Sequence, residues 1–374
     1  MAYEQFANKA STTLAANIAS GDTTLTVSSS ANFPTVPNFR ILIESEILLV
    51  TAVSGTTFTI TRGKEGTTAA SHVAGKPIDH ILTAESLKQL QIDSLDHSIC
   101  KGRLTLGTTA VPTADVTGAS ANTLYFRAFQ GNQVSLRSSS GNWNIYTYAS
   151  DLSQSLSGLT ANTNYDIYVY DSGGGVLVLS TVAWTGDTAR SATIYPTLVD
   201  GVYVQSTDNT RRYLGTIRIG ATGGQSEDSL LRRFVWNRNN QIERKLKVTE
   251  PASTWNYMTP TYRNFNNNSA NKVEVIVGLS ERLTILVAIG SSNQSSVVLR
   301  VIAIGYDQPT SGGTGIDDLR YGNNLAGTTG HVVCLNHLTD IGYHWYSPLE
   351  WSNTGGTTIW SGNNISGLIG TIMA

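Results

Sequence analysis

The chain has 374 residues, of which 40% are hydrophobic and only 14% are charged, and its net charge at pH 7 is −2. A charged share about half the usual one, with no clustered basic excess, excludes a nucleic-acid scaffold, and no apolar run reaches the ~18–20 residues of a membrane span. The two cysteines, Cys100 and Cys334, lack metal-type spacing and are too few for a disulfide framework.

The first predicted elements are strands in residues 1–82. Thr57-Phe58-Thr59-Ile60-Thr61 alternates apolar and hydroxyl side chains with period two, which is typical of a half-buried strand. Glu44-Ser45-Glu46 and Ser54-Gly55 supply turns on either side of an apolar run. These signals predict a small antiparallel meander, which is followed by a small, polar loop at residues 63–72.

Residues 31–85 read ANFPTVPNFRILIESEILLVTAVSGTTFTITRGKEGTTAASHVAGKPIDHILTAE. This stretch resembles the N-terminal attachment module of bacteriophage tail-fibre and other virion structural proteins. The resemblance implies that residues 1–82 form a β domain that attaches the chain to a virion. Its candidate attachment residues are Phe39, Arg62, Lys64 and Glu65.

A helix is predicted at about 83–99, within a linker or collar at 83–101. Thr83 can cap its N-terminus, and Ile92, Leu95 and Ile99 follow one another at spacings of three and four. A coiled-coil seam formed by so few residues is only marginally stable by itself. Two interpretations remain open: a linker helix packed on its own domain, or a three-fold helical collar.

Residues 102–191 again read as strands and predict a small β-sandwich. Leu159, Thr163, Tyr165, Ile167 and Val169 are similar to the corner and following strand of a fibronectin-like sandwich. In that family, a tyrosine at this place hydrogen-bonds back across the corner.

Residues 192–250 are interpreted as connecting strands, and they carry nine of the 25 Lys and Arg residues. In the stretch 241–248 the apolar positions Ile242, Leu246 and Val248 share one face, and the charges mostly lie opposite. This pattern favours a solvated strand face with edge protection over an anion-binding surface.

Residues 251–374 contain short strands separated by Gly, Asn and Ser, which predicts a sandwich or jelly roll. The closing segment GYHWYSPLEWSNTGGTTIWSGNNISGLIGTIMA resembles the distal domain of phage fibre-like proteins. Exposed aromatic rings there are suited to stacking on sugars, although about half of the cluster must fill the core. The candidate receptor-binding residues are Tyr343, His344, Trp345, Tyr346, Trp351 and Trp360.

Signals of catalysis are missing from the sequence. It has no Gly-x-Ser-x-Gly, His-Glu-x-x-His or Walker-type motif, and the pair Asp317-Asp318 follows a Gly-rich stretch that predicts an exposed turn. The expectation is a protein that is not an enzyme, with no catalytic residue, no cofactor and no metal.

The sequence therefore predicts an all-β chain of several small antiparallel β-sandwich or jelly-roll domains, elongated, with one short linker helix. The favoured function is a homotrimeric phage tail fibre or spike, which contacts other virion proteins of the tail or baseplate and binds a host cell-surface glycan or protein. It would assemble in the host cytoplasm, act in the virion and insert into no membrane. The alternatives are a purely structural baseplate, neck or head-decorating protein, and an enzyme that degrades envelope polysaccharide.

Overall fold

The computed structural model describes residues 4–87, 97–295, 297–309, 316–323 and 326–374. Within these ranges the chain is almost entirely β, and all strand pairs but one are antiparallel, which confirms the predicted all-β class. The chain divides into an N-terminal unit, residues 1–96, and a C-terminal unit, residues 97–374.

Six strands form one sheet in the N-terminal unit, in the order β1-β6-β3-β4-β5-β2. Their bounds are β1 Ser11–Thr13, β2 Thr24–Thr26, β3 Phe39–Ile43, β4 Glu46–Ser54, β5 Thr57–Thr61 and β6 Pro77–His80. The predicted meander is confirmed as β3, β4 and β5. Along β5, Phe58 and Ile60 are buried while the three threonines are exposed, as period-two alternation requires.

The predicted helix begins where its capping residue indicated. Residues 84–87 are helical, and the Thr83 hydroxyl accepts a hydrogen bond from the Ser86 N–H at 3.2 Å. Residues 97–99 are not helical, so the predicted end at Ile99 is wrong. The proposed seam positions Ile92 and Leu95 lie outside the described residues.

The C-terminal unit contains the remaining strands. The first ten are β7 Gly102–Thr105, β8 Thr123–Ala128, β9 Gln133–Arg137, β10 Trp143–Thr147, β11 Leu152–Ser155, β12 Asn164–Asp171, β13 Leu177–Ala183, β14 Pro196–Val199, β15 Val202–Gln205 and β16 Asp208–Arg218. They are followed by β17 Arg232–Arg233, β18 Val235–Asn237, β19 Glu243–Thr249, β20 Thr254–Asn256, β21 Arg263–Asn264, β22 Val273–Val277, β23 Leu283–Gln294, β24 Arg300–Tyr306, β25 Ile316–Asn323, β26 Gly327–Leu338, β27 Gly342–Ser352, β28 Thr358–Ser361 and β29 Gly367–Met373. Short 3-10 helices lie at Gly118–Ala121 and Phe265–Asn267.

The first part of this unit packs a five-strand run, β13-β12-β16-β15-β14, with two smaller sheets, β11-β8-β7 and β10-β9. Leu104, Phe126, Leu136 and Ile217 belong to the buried core that these sheets share. The corner expected of a fibronectin-like sandwich is present, because the Tyr165 hydroxyl accepts a hydrogen bond from the Thr160 N–H at 2.9 Å.

The last part is a two-sheet sandwich, as predicted, but it includes strands β17 and β19, which precede the predicted boundary at residue 251. One sheet has the order β17-β22-β27-β24-β25, and the other has the order β19-β29-β23-β28-β20 with β26 paired to β23. Val275 and Ile302 of the first sheet share a buried core with Leu286 and Leu368 of the second.

The basic segment 192–250 does not form a separate connector. Strands β14 to β16 and β18 belong to the sheet that contains β12 and β13. In the last sandwich, β17 belongs to the first sheet, next to β22, and β19 belongs to the second sheet, next to β29. The solvated strand face predicted for 241–248 is confirmed for Glu243, Lys245 and Lys247, which are exposed along β19, and is wrong for Arg244, which is buried. Three other arginines of the segment are also buried: Arg212, Arg218 and Arg233. Arg233 and Arg244 both donate to the Asp228 carboxylate, at 2.7 and 2.8 Å, because a buried cation needs a compensating partner.

Candidate functional site

The polar loop after β5, residues 62–72, is organised around the buried carboxylate of Glu46. Arg62 donates to this carboxylate from Nε and Nη2, at 2.8 and 2.7 Å. The N–H groups of Gly63 and Ala70 donate to it at 3.0 and 3.1 Å, and His72 Nε2 lies 2.9 Å away. One side chain thus holds the start, the middle and the end of the loop.

This geometry determines the protonation of Glu46. Burial alone would raise its pKa, but the donors from Arg62, His72, Ala70 and Gly63 outweigh burial and lower it from 4.5 to about 2. Arg62 also donates to the carbonyl oxygens of Ala19 and Ala70, so its guanidinium joins the loop to the segment between β1 and β2. The ionised carboxylate of Glu46 is therefore present at neutral pH to accept these hydrogen bonds.

The candidate attachment residues fall into two groups. Phe39 is fully buried in the core and Arg62 is occupied by Glu46, so neither side chain is placed to contact a partner, and we correct their assignment to structural roles. Glu65 pairs with Arg40 at 2.6 Å and accepts the Glu85 N–H at 3.2 Å, which ties the loop to the helix start. Lys64 is partly exposed and remains available on the surface.

The C-terminal aromatic residues do not form an exposed platform. His344, Tyr346 and Trp360 are buried, whereas Tyr343, Trp345 and Trp351 are half-buried. The sequence correctly placed residues 343 and 345 on one side of β27 and residues 344 and 346 on the other. It did not show that both sides are covered.

The inward side of β27 is a polar network inside the sandwich. The Tyr346 hydroxyl lies 2.7 Å from Thr339 Oγ1 and 2.8 Å from His337 Nδ1. Burial raises the pKa of Tyr346, so its hydroxyl stays protonated. His344 Nδ1 lies 2.6 Å from Asp307. Tyr346 and His344 are buried and not accessible to a receptor, whereas His337 is partly exposed and Asp307 is exposed.

On the other side of β27, distant parts of the chain cover the rings. The Tyr343 hydroxyl donates to Glu274, and the Arg218 guanidinium lies 3.7 Å from the centre of the Tyr343 ring. The Lys272 ammonium lies 5.3 Å from the Trp345 ring centre. Trp345 is therefore the candidate that combines a partly exposed indole with an adjacent cationic group, that of Lys272.

Two acidic features differ from expectation. The backbone of Asp317 and Asp318 lies in strand β25, so the predicted turn is wrong. Sequence reasoning also missed Glu350, which is fully buried and accepts from Trp255 Nε1 at 2.5 Å and Arg263 Nε at 2.8 Å. Burial raises its pKa to about 7. Because both donors are distant in sequence, no local signal could have identified it.

Among the described residues, no group of three or more His, Cys, Asp or Glu side chains is placed to hold a metal ion. The same residues include no helix with the length and apolar character needed to cross a membrane.

Comparison with known proteins gives no family. No protein-family model matches the chain, and no curated protein matches it. Among solved structures, an insecticidal delta-endotoxin of Bacillus thuringiensis is 7% identical with a TM-score of 0.20, over 91% of this chain and 60% of that one. The exo-beta-1,3-galactanase of Phanerochaete chrysosporium is 12% identical with a TM-score of 0.16, over 93% and 78%. At these TM-scores neither likeness carries an inference about function.

Proposed function

We propose that this chain is a non-enzymatic phage virion protein, a trimeric tail fibre or spike. Its N-terminal unit attaches to other virion proteins of the tail or baseplate, and its last sandwich is presented to a host cell-surface glycan or protein. The main support is the loop around Glu46, because it lies in the stretch that resembles virion attachment modules. A preformed loop loses little conformational entropy on docking.

The remaining features are compatible with this assignment. The N-terminal unit has its own buried core, which includes Phe33, Phe39 and Phe58, so it can hold the loop without help from a partner. On the last sandwich, Trp345 offers a partly exposed indole for a sugar ring. A single stacking contact of about 0.5–1.5 kcal/mol is weak, but three linked copies gain about 10²–10⁴ in avidity.

Immunoelectron microscopy tests the proposal. An antibody raised against the full-length protein is applied to particles purified from a culture that produces it. We expect labelling at one position on assembled particles, and a variant with Lys64→Glu should be incorporated less. Protein found only outside particles would contradict the proposal.

A second candidate, a purely structural baseplate, neck or head-decorating protein, makes the same first prediction but differs in the next test. Purified full-length protein is titrated onto host cells. Saturable binding favours the receptor role, and labelled particles without cell binding favour the structural one. Release of oligosaccharide from host polysaccharide would instead favour an enzyme.

A further inference from the structure

A cluster of buried polar side chains lies between the two sheets of the last sandwich. Its members come from strands of both sheets, and each is at most 4% exposed: Ser292, Gln294, Arg300, His331, Ser352 and Thr358. Polar groups in a core are costly unless they are hydrogen-bonded, and the contacts at the centre of this cluster are correspondingly short. The proposed function uses none of these side chains.

The centre of the cluster is the contact between Gln294 of β23 and Thr358 of β28. These residues are direct cross-strand partners, and Gln294 Nε2 donates to Thr358 Oγ1 at 2.6 Å. Because an amide C–N bond is about 1.33 Å long, Cδ of Gln294 lies about 3–4 Å from the threonine oxygen. Reacting atoms in a near-attack arrangement are about 3–3.5 Å apart. A hydroxyl nucleophile therefore lies close to reactive distance from an acyl carbon.

The hydroxyl of Thr358 has polar neighbours through which its proton can pass. Ser352 Oγ lies 2.7 Å from Thr358 Oγ1, and Ser352 is the cross-strand partner of Arg300. Arg300 Nη1 donates to Ser292 Oγ at 3.1 Å. Ser292 Oγ in turn lies 2.8 Å from His331 Nε2. A run of adjacent polar groups thus connects the nucleophile to a guanidinium and an imidazole.

The imidazole and the guanidinium have the charges that acyl transfer needs. Burial, with the nearby charge of Arg300 as a second cause, lowers the pKa of His331 to about 4. The ring is therefore neutral at pH 7 and able to accept a proton. Arg300 places a positive charge in the same cluster, and positive charge stabilises the oxyanion that forms when an amide is attacked. Because the site excludes water, hydrolysis does not compete with the attack.

We propose that Thr358 and Gln294 join in an intramolecular ester that cross-links β28 to β23. The hydroxyl oxygen of Thr358 attacks Cδ of Gln294, the O–C bond forms, and the C–N bond of the amide breaks. The nitrogen leaves as ammonia with its own two hydrogens and the hydroxyl proton, so the chain loses about 17 Da. The step needs no oxidant, metal or added reactant. Fixing the two groups together supplies an effective concentration of about 10⁵–10⁸ M, which compensates for the low reactivity of an amide.

The ester gives the sandwich a covalent link that its cysteines do not provide. Cys100 and Cys334 are both free thiols. Strand β28 has only four residues, and an ester at its first residue, Thr358, fixes it to β23. By restricting the unfolded chain between positions 294 and 358, the ester acts as a disulfide does.

Mass spectrometry of the full-length protein tests the cross-link. We expect the intact wild type to be about 17 Da lighter than the mass of its sequence. Trypsin cuts after Arg282, Arg300 and Arg320. A tryptic digest should therefore contain residues 283–300 joined to residues 321–374 as one branched peptide.

Two variants remove the reacting groups. Thr358→Val deletes the nucleophile at nearly constant volume, and Gln294→Glu replaces the amide by a carboxylate that releases no ammonia. Each should have the full mass of its own sequence and give two separate peptides. The matched control is Gln205→Glu, because Gln205 Nε2 also donates to a threonine hydroxyl, at 3.3 Å, but that threonine, Thr207, is exposed. The control should keep the mass loss.

A wild type of full mass with two separate peptides would overturn the ester and leave only a hydrogen bond between Gln294 and Thr358. A mass loss of the same size that persists in Thr358→Val would also overturn it, because an asparagine can lose ammonia by cyclising within a single peptide. Antibody labelling of particles tests the proposed function whichever mass is found, so the two proposals fail separately.

Discussion

Replacement of Glu46 by glutamine is expected to destabilise the N-terminal unit selectively. The Glu46 carboxylate accepts hydrogen bonds from Arg62 and from two backbone N–H groups, and it also contacts His72. This carboxylate has almost no access to water. Glutamine keeps the shape but loses the charge, and its amide N–H₂ faces donors instead of acceptors. Breaking a buried ion pair from one side costs about 3–5 kcal/mol of unfolding free energy.

The pKa of Glu46 gives an independent magnitude and a sign. It falls from 4.5 to about 2 on folding, so the ionised carboxylate stabilises the folded state by about 3 kcal/mol at pH 7. A lowered pKa contributes stability above pH 4.5 that is lost as pH falls towards 2. About 1 kcal/mol should remain at pH 3.

All seven tryptophans, at positions 143, 184, 236, 255, 345, 351 and 360, lie in the C-terminal unit. Hydrogen exchange of residues 40–80 therefore reports the N-terminal unit, while tryptophan fluorescence in denaturant provides the internal control. With Glu46→Gln we expect faster exchange at pH 7, a smaller difference from the wild type at pH 3, and unchanged fluorescence transitions. Equal exchange at pH 7, or a difference that does not shrink in acid, would refute this account of the loop.

Three further predictions concern the last sandwich. Because the pKa of buried Glu350 is raised to about 7, its contribution to stability is present below pH 4.5 and is lost as pH rises through 7. The denaturant midpoint of the wild type should therefore fall over this pH range, and Glu350→Gln should make the fall smaller. An equal fall in both proteins would contradict the prediction. At Gly370 an added Cβ would lie 2.0 Å from the carbonyl oxygen of a neighbouring strand, so Gly370→Ala should cost about 1–3 kcal/mol while Gly330→Ala, which meets open space, should be neutral by the same assay. Trp360→Ala truncates a core side chain and should cost about 3–5 kcal/mol of unfolding free energy. Trp345→Ala should cost less stability but should weaken binding to host cells. Equal losses of stability with no change in binding would remove Trp345 from the candidate site.

Local patterns predicted the fold where neighbours in sequence are also neighbours in space. The meander of β3 to β5 and the Tyr165 corner depend on contacts within a few residues, and both are confirmed. The burial of Arg233 and Arg244 depends on Asp228, which accepts hydrogen bonds from both. It also depends on their strands, β17 and β19, which belong to different sheets. No period in the sequence encodes that pairing.

The candidate sites were harder to predict for the same reason. Parity along β27 correctly separated Tyr343 from His344, but the cover over Tyr343 comes from Arg218, more than a hundred residues away. The exposure of Leu283, Ile285 and Ile289 was missed because the first half of β23 is apolar on both sides, a pattern more typical of a strand that is buried on both faces. Only the arrangement of the sheets shows which side is exposed.

The position of β29 has a consequence for synthesis on the ribosome. This strand lies between β23 and β19, and its register joins Glu243 to Met373. Translation must therefore pass residue 373 before β19 can acquire its neighbour, and non-local pairing of this kind is slow. A nascent chain that stalls before Gly367 would display an unpaired β19, which is the state that chaperones recognise and that aggregates.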